Sequence, residues 1–277
     1  MGNEKMIVDM HMHSTESDGT DTPEELLEKV RAEGISLFSL TDHDAVEGCR
    51  HIRPLLRKGD PEFVNGVEFS CRDAKGKYHI LGYGYDIDAK PINELVEYAR
   101  ELRIYKLEVR LEFLESEFGF TFADEDLDIL KGLYNPGKPH IANLMVRYGY
   151  APDRNTAIRE YIDKKKIKDV YILPGDAIEA IVASNGRPVL AHPTKGSGDQ
   201  DIHGDEMDER LRHLLNLGLE GAECFYSSFS EAETQEMLQF AKKYHLYVSA
   251  GSDYHGNNKT VKLADTGLYQ SYLNRKG

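Results

Sequence analysis

Short apolar bursts alternate along this chain with stretches in which apolar residues recur every three or four positions, the pattern of strands followed by amphipathic helices. Met6-Ile7-Val8-Asp9-Met10 reads as a first strand and residues 35–40 as a second. Phe63-Val64-Asn65 leads into Gly66-Val67-Glu68, and residues 78–81 form a further extended segment. Three more apolar bursts, at 188–191, 219–225 and 246–250, complete the set. Between them, Thr20-Asp21-Thr22-Pro23-Glu24-Glu25 carries helix-start signals: a hydroxyl near the cap, a proline in the first turn and acids that the helix dipole favours. Leu26, Leu27 and Val30 supply an inward stripe and Gly34 ends that helix. Helices are also expected at 175–184, 206–217 and 230–244.

The pattern changes after Asp88. A long charged helix is predicted from Pro91 to Phe118, with Leu95, Leu102, Val109 and Phe113 on one face. Shorter helical patterns follow at 141–148 and 155–162, joined by Gly/Pro turns. The chain therefore divides into a β/α unit, residues 1–90 and 174–277, and an inserted helical subdomain, residues 91–173. Repeated β-then-α units favour a parallel sheet, closed at this length into a barrel. The chemistry of such barrels gathers where the strands end.

Residues at those ends are of one kind. The first strand runs into Asp9-Met10-His11-Met12-His13, whose two-residue spacing puts both imidazoles on one face; Asp18 follows in a Ser/Gly turn. The second strand delivers His43 and the third Glu68. His79 lies on its own extended segment, His192 closes the strand at 188–191, and the last strand ends in Gly251-Ser252-Asp253-Tyr254-His255. A lone histidine in a loop is usually solvated, but nine ligand-type residues at successive strand ends point to a metal centre. Imidazole suits zinc, manganese and iron, and carboxylates can bridge two ions.

Composition narrows the setting. The 277 residues carry a net charge of −14, which excludes a broad duplex-DNA-binding face. Bound dications would still reverse the sign locally and admit a small anion. No apolar run is long enough to span a membrane, the first residues lack a signal-peptide core, and the three cysteines, Cys49, Cys71 and Cys224, form no CxxC spacing. A cytoplasmic protein is expected.

The segments DMHMHSTESDG, SLTDHDAVEG, NGVEFS, YHILGY, VLAHP and SAGSDYHG resemble, in order, those of the PHP (polymerase and histidinol phosphatase) superfamily. The resemblance implies an α/β fold, a distorted (β/α)7 TIM-like barrel, with two or three divalent metal ions (manganese, iron or zinc) and phosphoester hydrolysis. It implies one ion at His11, His13, Glu68 and Asp253, a second sharing Glu68 with His79 and His192, and a third at Asp18, His43 and His255. It gives the catalytic role to His11, His13, Glu68, His192, Asp253 and His255 through those ions. Asn135-Pro136-Gly137-Lys138-Pro139-His140 is similar to a segment, usually with arginine at the lysine position, of a standalone branch acting on nucleotide phosphates and the 5′ ends of short RNA. Lys138, His140 and Lys195 are the candidates for holding the phosphate or donating a proton.

The expected activity is thus a metal-dependent phosphoric ester hydrolase acting on a nucleotide or a short 5′-phosphorylated RNA. Histidinol-phosphate hydrolysis, a non-catalytic metal-stabilised module and amide hydrolysis are the alternatives; oligomeric state is left open. Asp42 and Asp44 flank His43 and read either as ligand-orienting groups or as turn residues. Glu223 and Cys224 follow a strand and can line the site, although Cys224 lacks an activating partner. His51, His203, His213 and His245 are expected to be exposed and unpartnered, and Lys164-Lys165-Lys166 reads either as a solvated face or as a basic run guiding an oligonucleotide end toward the pocket.

Overall fold

The computed structural model describes residues 6–167, 170–195 and 200–268; the outer limits expected for the β/α unit, 1 and 277, lie outside them. The elements run β1 (Val8–Asp9), α1 (Pro23–Ala32), β2 (Leu37–Leu40), α2 (Glu47–Ile52), β3 (Glu62–Asp73), β4 (Gly76–Tyr83), α3 (Lys90–Phe118), α4 (Asp124–Gly132), α5 (Lys138–Arg147), α6 (Arg154–Thr156), α7 (Pro174–Ala183), β5 (Arg187–Leu190), α8 (Gly204–Asn216), β6 (Gly221–Tyr226), α9 (Glu231–Tyr244) and β7 (Tyr247–Gly251). The strands form one sheet in the order β1 to β7. Its edges meet where Met10 N–H donates to Ala250 O (2.8 Å) and Asp253 N–H to His11 O (2.8 Å). The result is the distorted (β/α)7 barrel that the sequence leads one to expect.

The expectation of a parallel sheet needs correction. β4 runs antiparallel to both β3 and β5, while the other neighbouring pairs are parallel. The cause is a tight turn: Asp73 Oδ1 accepts from the N–H groups of Lys75 (2.8 Å) and Gly76 (3.1 Å), an Asx-type reversal that leaves no room for a crossover helix. Glu68 therefore sits in mid-strand rather than at a strand end. In the β3–β4 register Ser70 faces His79. Directly opposed residues share a face and so do residues two apart on one strand, so Glu68 and His79 project to the same side.

The helices form for local reasons. Thr22 accepts from Glu25 N–H (3.2 Å) and Glu25 reaches back to Thr22 N–H (2.9 Å), a capping box that fixes where the loop bearing Asp18 ends. Ser230 and Glu233 do the same for α9. The main core lies between barrel and outer helices and includes the first half of α3, through Ile92, Leu95, Val96 and Ala99. A second, smaller core gathers Leu107 and Leu114 of α3 with Leu130, Ile141, Met145 and Ile162. One helix thus joins both, and its middle spans the gap between them. The short α2 and α4 were not expected; α4 buries only Leu130 and so leaves almost no periodic signal.

Candidate metal centre and substrate cavity

The nine expected ligands converge at one end of the barrel. Glu68 is their hub: its Oε2 lies 3.2 Å from His11 Nε2, His13 Nε2 and His43 Nδ1, and its Oε1 lies 2.8 Å from His79 Nδ1 and 3.0 Å from His192 Nε2. Asp253 Oδ1 stands 3.6 Å from His11 Nε2 and 3.4 Å from His13 Nε2. Asp18 Oδ1 is 3.2 Å from His255 Nε2 and 3.9 Å from His13 Nδ1. Among the described residues, these ligands form three groupings with donor atoms close enough to share an ion: His11, His13, Glu68 and Asp253; His43, Glu68 and His79; and His13, Asp18, His43 and His255. His43 thus stands beside both the His79 and the Asp18 groups, and His13 belongs to two groupings.

The chemistry of this cluster fits cations. Glu68 Oε2, His43 Nδ1 and Asp18 Oδ1 are buried without a hydrogen-bond partner, and such orphaned groups are costly. His11 Nε2 and His13 Nε2 point at each other across 3.1 Å. Burial alone would raise Glu68, but His43, His11 and His79 outweigh it and hold the carboxyl well below its usual range. Burial pushes His43 below the ordinary histidine value, against the pull of Glu68 and Asp18.

Surrounding groups hold the ligands in place. Glu223 on β6 accepts from His11 Nδ1 (3.1 Å) and from His192 N–H (2.7 Å), which leaves His11 Nε2 turned to the cluster. Gly251 makes that approach possible, since a Cβ there would lie 2.2 Å from His11 Cβ and 2.4 Å from Glu223 Oε1. Asp42 accepts from Ser14 N–H, Ser14 Oγ and Ser17 Oγ, each at 2.7 Å, pinning the loop after His13. Asp44 accepts from Ser70 N–H (2.8 Å) and Arg103 Nε (2.7 Å). Asp9, pushed up to about 6 chiefly by burial, ties β1 to Ser252 N–H (2.9 Å). Asp44, His192 and Asp253 take left-handed backbone angles, φ 51°, 28° and 59°, a strain that clusters at functional sites.

A cavity of about 990 Å³ opens over the cluster, with Asp18, His43 and His79 in its wall. Its lining carries eight lysines and arginines against three aspartates, although the chain has a net charge of −14. Lys138 lines it with Nζ on Asp163 (2.6 Å). His140 lines it too, but its Nδ1 accepts from Gly137 N–H (3.0 Å) and so caps the start of α5. Lys195 does not line the cavity; its Nζ is held by Glu233 (2.5 Å) and Asp201 (3.4 Å). Lys165 and Lys166 are in the cavity wall rather than on a merely solvated face. Cys224 is buried and its thiol is pushed up to about 12 by burial, so it is inert.

Other expectations need correction. His51 and His245 are exposed as expected, while His203 and His213 are half-buried; His51, His203 and His213 each have a carboxylate partner, Glu16 (3.3 Å), Glu236 (2.5 Å) and Asp73 (2.7 Å). Two groups that sequence reasoning missed act on Asp253: Tyr226 Oη and Lys259 Nζ donate to its Oδ2 at 2.7 and 2.5 Å. Tyr226 ends β6 and could have been found by reading every strand end, whereas Lys259 follows no pattern.

A buried histidine–carboxylate cluster beneath a cationic cavity, on a seven-stranded barrel, defines a metal-dependent hydrolase of anionic esters. The chain belongs to the PHP family: residues 9–135 match its "PHP domain" model. It is 30% identical over 257 residues to a phosphoribosyl 1,2-cyclic phosphate 1,2-diphosphodiesterase of Eggerthella lenta, with 91% of this chain and 95% of that one covered. It is 28% identical over 254 residues to a 3′,5′-nucleoside bisphosphate phosphatase of Chromobacterium violaceum, covering 90% and 87%. Among solved structures, an amidohydrolase from Chromobacterium violaceum with bound sulfate and no metal matches with a TM-score of 0.80 and 27% identity, over 97% of this chain and 96% of that one. The protein is a phosphoric ester hydrolase. Among the described residues no helix is long and apolar enough to cross a membrane.

Proposed function

We propose that the protein hydrolyses phosphate esters of nucleotides, either a nucleoside phosphate or the 5′ end of a short RNA, with two or three bound divalent ions of manganese, iron or zinc. The observation that carries this reading is the orphaned, buried oxygen of Glu68 among His11, His13 and His43, next to His43 and His79, which line a cavity rich in cations. His11, His13, Glu68 and Asp253 would hold one ion, Glu68, His79 and His192 a second, and Asp18, His43 and His255 a third. Divalent ions in such a site supply Lewis acidity, neutralising phosphoryl charge and making water a nucleophile at neutral pH.

The chain's own residues do the rest. Glu223 keeps His11 in one tautomer, and Tyr226 and Lys259 fix one oxygen of Asp253 so that the other faces the cluster. Lys138, near the cavity's inner wall, is the phosphate-orienting cation, released from Asp163 when an anion enters. His140 accepts the Gly137 N–H on its Nδ1 and so holds the start of α5, the segment that carries Lys138, in the cavity wall. Residues 91–173 act as a cap: they supply Lys138, His140 and other walls of the cavity, while the barrel supplies the ligands.

The test is turnover by manganese-loaded protein, with metal content measured in the same sample. Release of phosphate or nucleotide from adenosine phosphates or 5′-phosphorylated oligoribonucleotides is expected, and Glu68→Gln should abolish it. A metal-replete protein inert towards all of them would overturn the reading.

A further inference from the structure

The ligands of the metal centre are supported from two directions. Glu223 on β6 holds His11 and the His192 backbone, Tyr226 and Lys259 hold Asp253, and the β3–β4 register places His79. These supports belong to the barrel or to the turn after its last strand. His43 and Asp18 are gripped in addition from the helical segment that carries the smaller core.

For His43 the grip falls on one peptide unit. The Asp44 N–H of that unit donates to Glu68 O (2.9 Å), a barrel contact. Its carbonyl, that of His43, accepts from Asn135 Nδ2, just ahead of α5. Asp44 takes the left-handed φ of 51°, and its carboxylate accepts from Arg103 Nε of α3 (2.7 Å); Arg103 lines the cavity together with Lys106 and Arg110. Asn135 is only 4% exposed, and its Oδ1 is buried without a partner. A buried amide with an unmatched acceptor is costly where a leucine would fill the same space. What the amide supplies here is the bond to His43.

Asp18 is reached by a relay. Arg154 of α6 donates to Asn258 O, and Asn258 Nδ2 donates to Asp18 O (2.7 Å). Asn257 N–H donates to Thr20 Oγ1 (2.8 Å), so the turn after β7 lies across the loop bearing Asp18. Asp18 and His43 share one grouping of donor atoms, with His13 and His255. The helical segment therefore holds two members of that grouping by their backbones, from two separate points.

We propose that Asn135 and Arg154 are positioning residues: by holding His43 and Asp18 they let the ion among Asp18, His43 and His255 bind only when the helical segment is seated on the barrel, while the ion among His11, His13, Glu68 and Asp253 binds without it. This rests on the metal-dependent reading of the site and makes one ion conditional on the segment that walls the cavity. A ligand loop that must be ordered as the ion arrives gives weaker binding than one already set. The coupling is mutual, so that ion favours the seated segment. The segment's own fold rests on the smaller core and is not at stake.

The experiment is manganese titration by calorimetry, with metal content measured on the same samples. It compares wild type, Asp18→Asn, Asn135→Leu/Arg154→Met and all three substitutions together. Asp18→Asn identifies which ion belongs to the Asp18 grouping. The double variant should weaken that ion tenfold or more and any other less than twofold, and should add nothing once Asp18→Asn is present. Arg154→Lys alone, which keeps a donor for the Asn258 carbonyl, should bind that ion within threefold of wild type; a lysine variant as weak as Arg154→Met overturns the role given to Arg154. Equal weakening of every ion, or of none, overturns the proposal, as does a wild type that loses no ion with Asp18→Asn. A wild type that binds no manganese overturns the metal-dependent reading itself, and the proposal with it. Should the double variant melt early, Asn135→Leu and Arg154→Met are titrated singly by the same criteria.

Discussion

Glu223 places one oxygen on His11 and the other on the His192 backbone, so a single side chain sets the geometry of two ligand-bearing strands. Glu223→Gln keeps the size of the side chain but weakens its hold on the His11 N–H. Metal affinity, read by competition with a chelating dye, should fall about 10- to 100-fold, while the metal-free melting temperature changes little. An unaltered affinity would show that His11 is oriented by packing alone. At this scale the sequence is informative about ligands and poor about their supports. His11 and His13 announce themselves by spacing, and Asp253 and His255 by following an apolar strand. Glu223 sits inside the strand Gly221–Tyr226, where only the sheet register reveals whether it points to the cluster. Lys259 reaches Asp253 from a loop beyond the last strand, and no local pattern forecasts such a contact. The carboxylate partners of His51 and His213 were unreadable for the same reason, lying 35 and 140 positions away, as was Glu236, 33 positions from His203.

Helix α3 was legible as a helix, since its apolar spacing and closing Gly119 mark it out. Its function was not, because a row of arginine and lysine on a charged helix reads as a solvated face until the fold sets it against a cavity. The energetic sign of Lys106 separates these cases. Its folded value of about 8 lies below the ordinary 10.5, so between those limits the unfolded chain binds more protons and stability rises with pH. The cost of the buried charge is fully present below pH 8 and is gone by about pH 10.5. Lys106→Met, which keeps the apolar stem, should therefore stabilise the metal-free protein at pH 7 by about 1 kcal/mol after allowance for solvent screening. That gain should shrink as pH approaches 10. Urea unfolding at pH 7 and 9.5 measures both values; a variant less stable than wild type at pH 7 would mean that Lys106 supports the fold rather than a ligand.

For the whole molecule, the seven strand positions were readable from apolar bursts, but the reversal of β4 was not, because the Asp73–Gly76 turn was passed over between two extended segments. That reversal has a functional effect: it brings His79 back to the end of the barrel where the other ligands meet, and sets its Nδ1 2.8 Å from Glu68. The ligand set consequently draws on the β1, β2, β3, β4, β5 and β7 regions, so bound metal would clasp almost the entire ring of strands. The smaller core around Leu114, Ile141 and Met145 contributes no ligand. Metal at a thousand times its dissociation constant stabilises whatever it bridges by about 4 kcal/mol. Chelation should thus lower the protection of the barrel while leaving that of α4 and α5 nearly unchanged, because local opening follows the contacts each unit makes for itself. Hydrogen exchange with and without chelator, followed peptide by peptide, resolves the two. Faster exchange in β1, β3, β4 and β7 with constant rates in α4 and α5 is the expected result. An equal loss in both cores would mean that the helical segment depends on the metal centre for its own stability, through contacts such as Arg103 to Asp44, and that the helical segment and the barrel open together.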